Sequence, residues 1–373
     1  MGLRGWLLRQ AALRPRVLLV ACPYGTGARL LAEAEADRRG WPVAASAAEA
    51  SVMVVCGRPG AELAAAVREV WRAVPVPRAL VELPPDVPAD RVVAALDDAV
   101  RTLGDEPVQW RQAGVLATGT SADDTPMADR GADRDGLKLD RLHVPLGPVL
   151  ADWPAGLVVE TVLQGDVIQE ARVRTLPADG TGDAFWTPQP GASPAEARRR
   201  TAAARLDGLG RLLGVAGWPA AAADARRLRD RLLADAVDER GRRRCVRFTR
   251  RVRRSWVLRW MLRGAGELGP DAPQRLRGDT LDRARRWLDD VEALTGEDVE
   301  ALTEEHVDAL TGEDVDALTE ERSGPWDGDD VPVDRVLALL PGLLAGAELA
   351  VARLIVAGLD PDLDRLPSPA RDG

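Results

Sequence analysis

Lysine is almost missing from this chain: Lys138 stands alone, and the rest of the 50 basic residues are arginines. Together with abundant alanine, this reads as a GC-rich coding bias. Histidine occurs twice (His143, His306) and cysteine three times (Cys22, Cys56, Cys245). No arrangement of these five gives a Cys-x-x-Cys pair, a His-Glu-x-x-His helix or a closed zinc site. No catalytic residue and no metal ligand is therefore assigned. Three scattered cysteines suit a reducing compartment and not a disulfide scaffold. One tyrosine and two phenylalanines exclude a phenylalanine- and tyrosine-built stacking platform for single strands, so no nucleic-acid partner is expected. Long apolar runs are missing too. The longest, residues 333–359, is interrupted by Asp334, Arg335, Pro341, Glu348 and Arg353, so the chain is expected to have no transmembrane segment of its own. The arginine-bearing N-terminus lacks a signal-peptide apolar run. The expected location is cytoplasmic, or peripheral on the inner face of the cell membrane.

With 373 residues, 46% of them hydrophobic, the chain can build two or three ordinary domains. Val17-Leu-Leu-Val-Ala21, Ser51-Val-Met-Val-Val-Cys56 and Arg78-Ala-Leu-Val-Glu-Leu83 are short apolar runs. Helical patterns follow them, to about Arg38, to about Val74 and over 90–103. Continuous apolar strands alternating with helices predict a parallel sheet covered on both faces. Residues 1–113 are thus read as a three-layer α/β domain and the polar stretch 114–138 as a linker. Leu157–Leu163 and Val167–Val173 flank Gln164-Gly165-Asp166, a hairpin signal. Helical patterns occupy 195–213, 219–237, 242–262, 280–294 and 333–356. Residues 139–292 and 325–368 are read as an α+β domain, a small antiparallel sheet followed by a helical bundle.

Between them lies an octapeptide repeat, Ala293-Leu-Thr-Gly-Glu-Asp-Val-Glu300 and its successors. Eight fits neither supercoil period, so residues 293–324 are read as an acidic insertion. They carry 11 acids and one arginine, which accounts for the formal net charge of −9.

Two places carry candidate chemistry. Cys22-Pro-Tyr-Gly25-Thr-Gly27 lies between a strand and a helix, where α/β domains bind ligands and helix amides can hold an anion. Cys22, Gly25 and Gly27 are the candidate cofactor-binding residues. The motif is only Gly-x-Gly, and a tight strand-to-helix turn explains it equally. Arg240 to Arg263 holds 11 arginines and no acid. Cys245, Phe248, Val252, Trp256 and Trp260 recur at helical steps, predicting one basic helix with an apolar, core-facing stripe. Its candidate contact residues are Arg250, Arg251, Arg253 and Arg254. These either meet phosphates, lipid headgroups or an acidic partner, or pair with neighbouring carboxylates.

Several segments resemble two subunits of respiratory complex I (NADH-quinone oxidoreductase) joined in one chain. Ala47–Gly57, Ala64–Trp71 and Val74-Pro-Val-Pro-Arg-Ala-Leu80 are similar to the B subunit (PSST-type), with Cys22 where that family begins its cluster ligands. Met261-Leu-Arg-Gly-Ala-Gly266, Gly278-Asp-Thr-Leu-Asp-Arg283, Trp287–Glu292 and Leu354–Pro361 resemble the D subunit, a relative of the nickel–iron hydrogenase large subunit. The segments run in the family's order. His143, ahead of the hairpin, stands where the family has its quinone-site loop.

The resemblance implies a 4Fe–4S cluster and quinone chemistry, but three of four cluster cysteines and the quinone tyrosine are missing. The expectation is a degenerate fusion with no cofactor. It would act as a redox-inactive docking or coupling subunit against membrane antiporter-like or other complex I-like partners, with His143 as a quinone-site remnant. Two alternatives stand beside it. One is an active subunit of this oxidoreductase type that uses a partner's cofactor. The other is a binder of anionic surfaces or nucleic acid through the arginine-rich helix.

Overall fold

The computed structural model describes residues 14–119, 130–132, 138–189, 191–234, 238–295 and 331–366. The chain forms two compact units. Unit 1 comprises Met1–Thr187, Leu340–Leu349 and Pro361–Gly373; unit 2 comprises Pro188–Leu339 and Ala350–Asp360. The first is broadly α/β with an antiparallel sheet added, and the second is helical.

Unit 1 opens with β1 (Val17–Ala21), α1 (Thr26–Arg38), β2 (Val52–Cys56), α2 (Ala61–Ala73), β3 (Ala79–Leu83) and α3 (Ala89–Gly104). The strands pair in parallel in the order β1-β2-β3. All five residues of β2 are buried, as a central strand packed on both faces requires. One face packs Val52, Val54 and Val81 with Ala28 and Ala32 of α1 and Leu96 of α3. The other packs Leu18, Met53 and Val55 with Leu63 and Val67 of α2. This is the expected three-layer sandwich. In β3, buried Ala79, Val81 and Leu83 alternate with exposed Leu80 and Glu82, the pattern of a sheet edge.

A further helix, α4 (Glu106–Gly119), follows after one residue. It reaches into the stretch read as linker, so residues 114–119 are helical and that expectation is corrected there. Buried Gln109 ties it to β3: its Oε1 accepts from Arg78 N at 2.9 Å and its Nε2 donates to Arg78 O at 3.1 Å. The Arg78 guanidinium stacks 4.2 Å from the Trp71 ring and donates to the Val74 carbonyl.

Four antiparallel strands follow in the order β4-β5-β6-β7: β4 (Arg130–Ala132), β5 (Lys138–Leu146), β6 (Leu157–Gln164) and β7 (Val167–Thr175). The β6–β7 hairpin is the expected one, turning at Gly165 with φ 63°. Val158 and Leu176 join the core on the α2 side of the parallel sheet. The antiparallel sheet therefore belongs to the compact unit of the parallel one, a division different from the expected domains. Residues 346–349 also bind its edge, with Gly346 N donating to Ile168 O and Leu349 N to Asp166 O.

In unit 2, α5 (Pro194–Val215), α6 (Pro219–Ala234), α7 (Glu239–Arg254), α8 (Trp256–Leu262) and α9 (Thr280–Thr295) form the bundle, completed by parts of α10 (Val333–Leu344) and α11 (Leu349–Leu359). Two expected helices are each broken. Residues 333–356 divide where Gly346 takes φ 81°. Residues 242–262 divide at Ser255, whose backbone is extended (ψ 108°) and whose hydroxyl caps α8 by accepting from Leu258 N. A serine cap starts a new helix without needing glycine or proline. Apart from residues 293–295, which end α9, the acidic repeat with His306 lies outside the described residues. Among the described residues no helix is long and apolar enough to cross a membrane.

Candidate functional site

The carboxyl edge of the parallel sheet is assembled by backbone bonds. Cys22 N donates to Cys56 O at 2.9 Å, Gly25 N to Cys22 O at 2.9 Å, and Gly57 N to Leu83 O at 2.8 Å. A Cβ at Gly25 would lie 2.0 Å from the Cys56 carbonyl oxygen, so Gly25 is required for the helix start to approach β2. At Gly27 a Cβ would meet the Phe185 ring at 3.5 Å, an ordinary contact. Packing thus requires glycine at position 25 and not at position 27.

The turn into α1 meets an anion of the chain's own through one amide and one hydroxyl. Asp364 is buried; its Oδ1 accepts from Tyr24 N at 2.5 Å and its Oδ2 from the Thr26 hydroxyl at 3.2 Å. This internal carboxylate supplies the negative charge that a helix N-terminus favours. Tyr24 is held at φ 60°. Its phenol is pushed above its ordinary value by burial and by Asp364 and Asp362.

Cys22 and Cys56 both end at this edge, and both are fully buried. Burial pushes the Cys22 thiol up to about 12. It raises Cys56 as well, with the neighbouring Cys22 adding to the shift. Thiols so disposed are protonated and poor nucleophiles. A 4Fe–4S cluster takes four thiolates, whereas the chain holds three cysteines, and Cys245 lies in unit 2. The donor set does not fit the cluster. Among the described residues, no three His, Cys, Asp or Glu side chains form a metal-holding group. His143 is exposed on β5, paired with Val162 across the strand. It stands on a regular strand, not in a loop.

Unit 2 brings together segments far apart in sequence. Arg283 is fully buried on α9. Its Nε donates to Gly358 O (3.2 Å), Nη1 to Leu276 O (3.0 Å) and Gly278 O (2.8 Å), and Nη2 to Gly266 O (3.0 Å) and Thr280 Oγ1 (3.1 Å). Three segments far apart in the chain, 261–266, 278–283 and 354–361, therefore meet at one guanidinium. Burial pulls its pKa down to about 10, with Arg286 adding to the fall. Asp279 binds the same turn from outside, accepting from Gly264 N at 2.7 Å and from Asp282 N at 2.9 Å. Nearby in the bundle, buried Asp207 accepts from Arg229 and Arg211, each at 2.6 Å, and Arg211 also pairs with Asp360.

The exposed chemistry of unit 2 lies on α7 and α8. On α7, Cys245, Phe248, Thr249 and Val252 are buried, while Arg240, Arg243, Arg247, Arg250, Arg251 and Arg254 are exposed on the opposite face. The four candidate arginines divide. Arg251 pairs with Asp224 at 2.8 Å and lies 5.1 Å over the Trp218 ring. Arg253 pairs with Asp289 at 2.6 Å and Glu292 at 3.2 Å. Arg250 and Arg254 are exposed and make no ion pair among the described residues. With Trp218, Arg247, Arg251 and Ser255 they line a shallow open depression of about 600 Å³.

The expected apolar stripe ends at Val252. Trp256 and Trp260 are 72% and 76% exposed, beside Val257 at 45%, so their assignment to the core is corrected. The break at Ser255 resets the helix phase, and α8 buries Leu258 and Leu262 instead. Exposed Arg259 and Arg263 flank the indoles. Sequence reasoning missed Ser255, Trp218, Asp224 and Asp364. Of these only Ser255 carries a local signal, a capping residue three positions before Leu258. No protein-family model matches the chain, and no curated protein was found to match it.

Proposed function

We propose that the chain is a redox-inactive docking or coupling subunit of a complex I-like assembly, working through the outer surface of α7 and α8. The observation that carries this reading is the exposure of Trp256 and Trp260 on α8, just after Arg250 and Arg254, which are exposed and make no ion pair among the described residues. Indoles left in water next to arginines are what interfaces are enriched in. The redox-inactive part draws support from the sheet edge, where the two thiols are buried with raised pKa values and Asp364 accepts from Tyr24 N. The complex I-like identity draws support from the order of the resembling segments and from the convergence of three of them on Arg283.

A tagged chain recovered from membranes under mild detergent is expected to bring antiporter-like membrane subunits with it, and to do so less well as W256S/W260S. Purified protein should carry no stoichiometric iron. About four iron atoms per chain with a reducible paramagnetic signal would overturn the redox-inactive reading. In that case the alternative of an active oxidoreductase subunit takes its place.

A further inference from the structure

We infer that the α7–α8 surface docks onto an anionic lipid headgroup layer, with Trp256, Val257 and Trp260 at the headgroup–acyl boundary and the arginines on the phosphates. This rests on the docking reading above and names the partner of the same surface. Two independent features meet there. The first is charge of one sign: Arg247, Arg250, Arg254, Arg259 and Arg263 are exposed and carry no carboxylate among the described residues. The second is apolar: two indoles and a valine on one short helix, the indoles about three-quarters exposed. Exposed apolar side chains with exposed arginines before and after them along the chain match an interface that is apolar a few ångströms below a layer of phosphates. Arginine stems also reach across such a boundary while their guanidinium groups stay at the phosphates. Nucleic acid would satisfy the charges and stack on the indoles, but it offers nothing to Val257.

The test is co-flotation of the full-length protein with vesicles of phosphatidylcholine alone and of phosphatidylcholine mixed with phosphatidylglycerol. Binding is expected only to the mixed vesicles, and it should weaken as salt is raised from about 0.05 to about 0.5 M. R250Q/R254Q/R259Q/R263Q should lose roughly two to three orders of magnitude in affinity, at about fivefold per arginine near an anionic surface. W256S/W260S should lose at least about tenfold at every salt concentration. All six positions are exposed, and circular dichroism of each variant checks the fold.

Equal binding to both vesicle types, or none to either, overturns the inference. So does tighter binding to duplex DNA than to anionic vesicles, which assigns the surface to nucleic acid. Binding seen only after deletion of residues 296–330 overturns it too, because the acidic repeat is then the occupant. Recovery of membrane subunits by a chain that ignores lipid defeats this inference and leaves the docking reading standing. Stoichiometric iron in a lipid-binding chain does the reverse.

Discussion

Replacing Arg283 by methionine keeps most of the side-chain volume but removes the guanidinium donors to the carbonyls of Gly266, Leu276, Gly278 and Gly358 in unit 2. A buried carbonyl left without a donor costs about 1–3 kcal/mol. Gly278 O keeps its bond from Leu268 N at 3.0 Å; the other three lose the guanidinium, and some relax toward water because Gly264 and the loop 269–275 are largely exposed. The variant also escapes the cost of burying a cation, which is large enough to pull Arg283 down to about 10. The net is about 2–4 kcal/mol of destabilisation, from three carbonyls left short of a donor less the relieved burial of the cation. In a unit of this size that lowers the midpoint of thermal unfolding by about 10 °C. Urea titration followed by far-ultraviolet circular dichroism, with hydrogen exchange reading α9 separately, measures both the size and the place. Methionine within about 1 kcal/mol of the parent, with α9 equally protected, would refute the reasoning. R283K is the internal control: its ammonium has three donors where the guanidinium uses five bonds, so it should fall between parent and methionine.

Asp207→Ala should cost about 2–3 kcal/mol, because it removes the 2.6 Å bonds to the fully buried Arg229 and to Arg211 while Asp230 and Asp360 still pair them; denaturant midpoints read it. Gly25→Ala drives a methyl group into the Cys56 carbonyl and should destabilise unit 1 by about 2 kcal/mol or more. Gly27→Ala, with only ordinary contacts, should be nearly silent by the same assay. Cys22 and Cys56 should resist alkylation at pH 8 in the native protein and react on addition of denaturant, as mass spectrometry of the labelled peptides will show. Their folded pKa values are raised, Cys22 to about 12. Between pH 9 and 12 the unfolded chain therefore binds fewer protons than the fold, and stability falls as pH rises, by up to about 1.4 kcal/mol per pH unit per thiol. Cys22→Ala should flatten that alkaline limb in urea titrations run across the range.

The strands and helices around the parallel sheet were legible because each is dictated locally. Five consecutive apolar residues in β2 can only be a doubly covered strand, and Gly165 announces its own turn. β5 was not legible, since Asp140, Arg141, His143 and Pro145 contradict strand propensity; pairing with β6 overrides it. The division of the arginine-rich segment at Ser255 was hidden because neither glycine nor proline marks it. Missing it reversed the reading of Trp256 and Trp260 from core to surface. Among the described residues Arg251 and Arg253 have carboxylate partners and Arg250 and Arg254 do not, a distinction set by Asp224, Asp289 and Glu292 on other helices. No spacing rule links Asp364 to Tyr24, 340 positions away.

That last contact has a consequence for synthesis. Tyr24 leaves the ribosome 340 positions ahead of the carboxylate that completes the turn into α1. Until then the Tyr24 amide and Thr26 hydroxyl have only water or a passing anion, and unit 1 waits on residues 340–349 and 361–366 while unit 2 is being made inside the interruption. The order of emergence is therefore not the order of completion. Stalled chains released before Asp364 should show a protease-resistant helical unit and a sensitive first half.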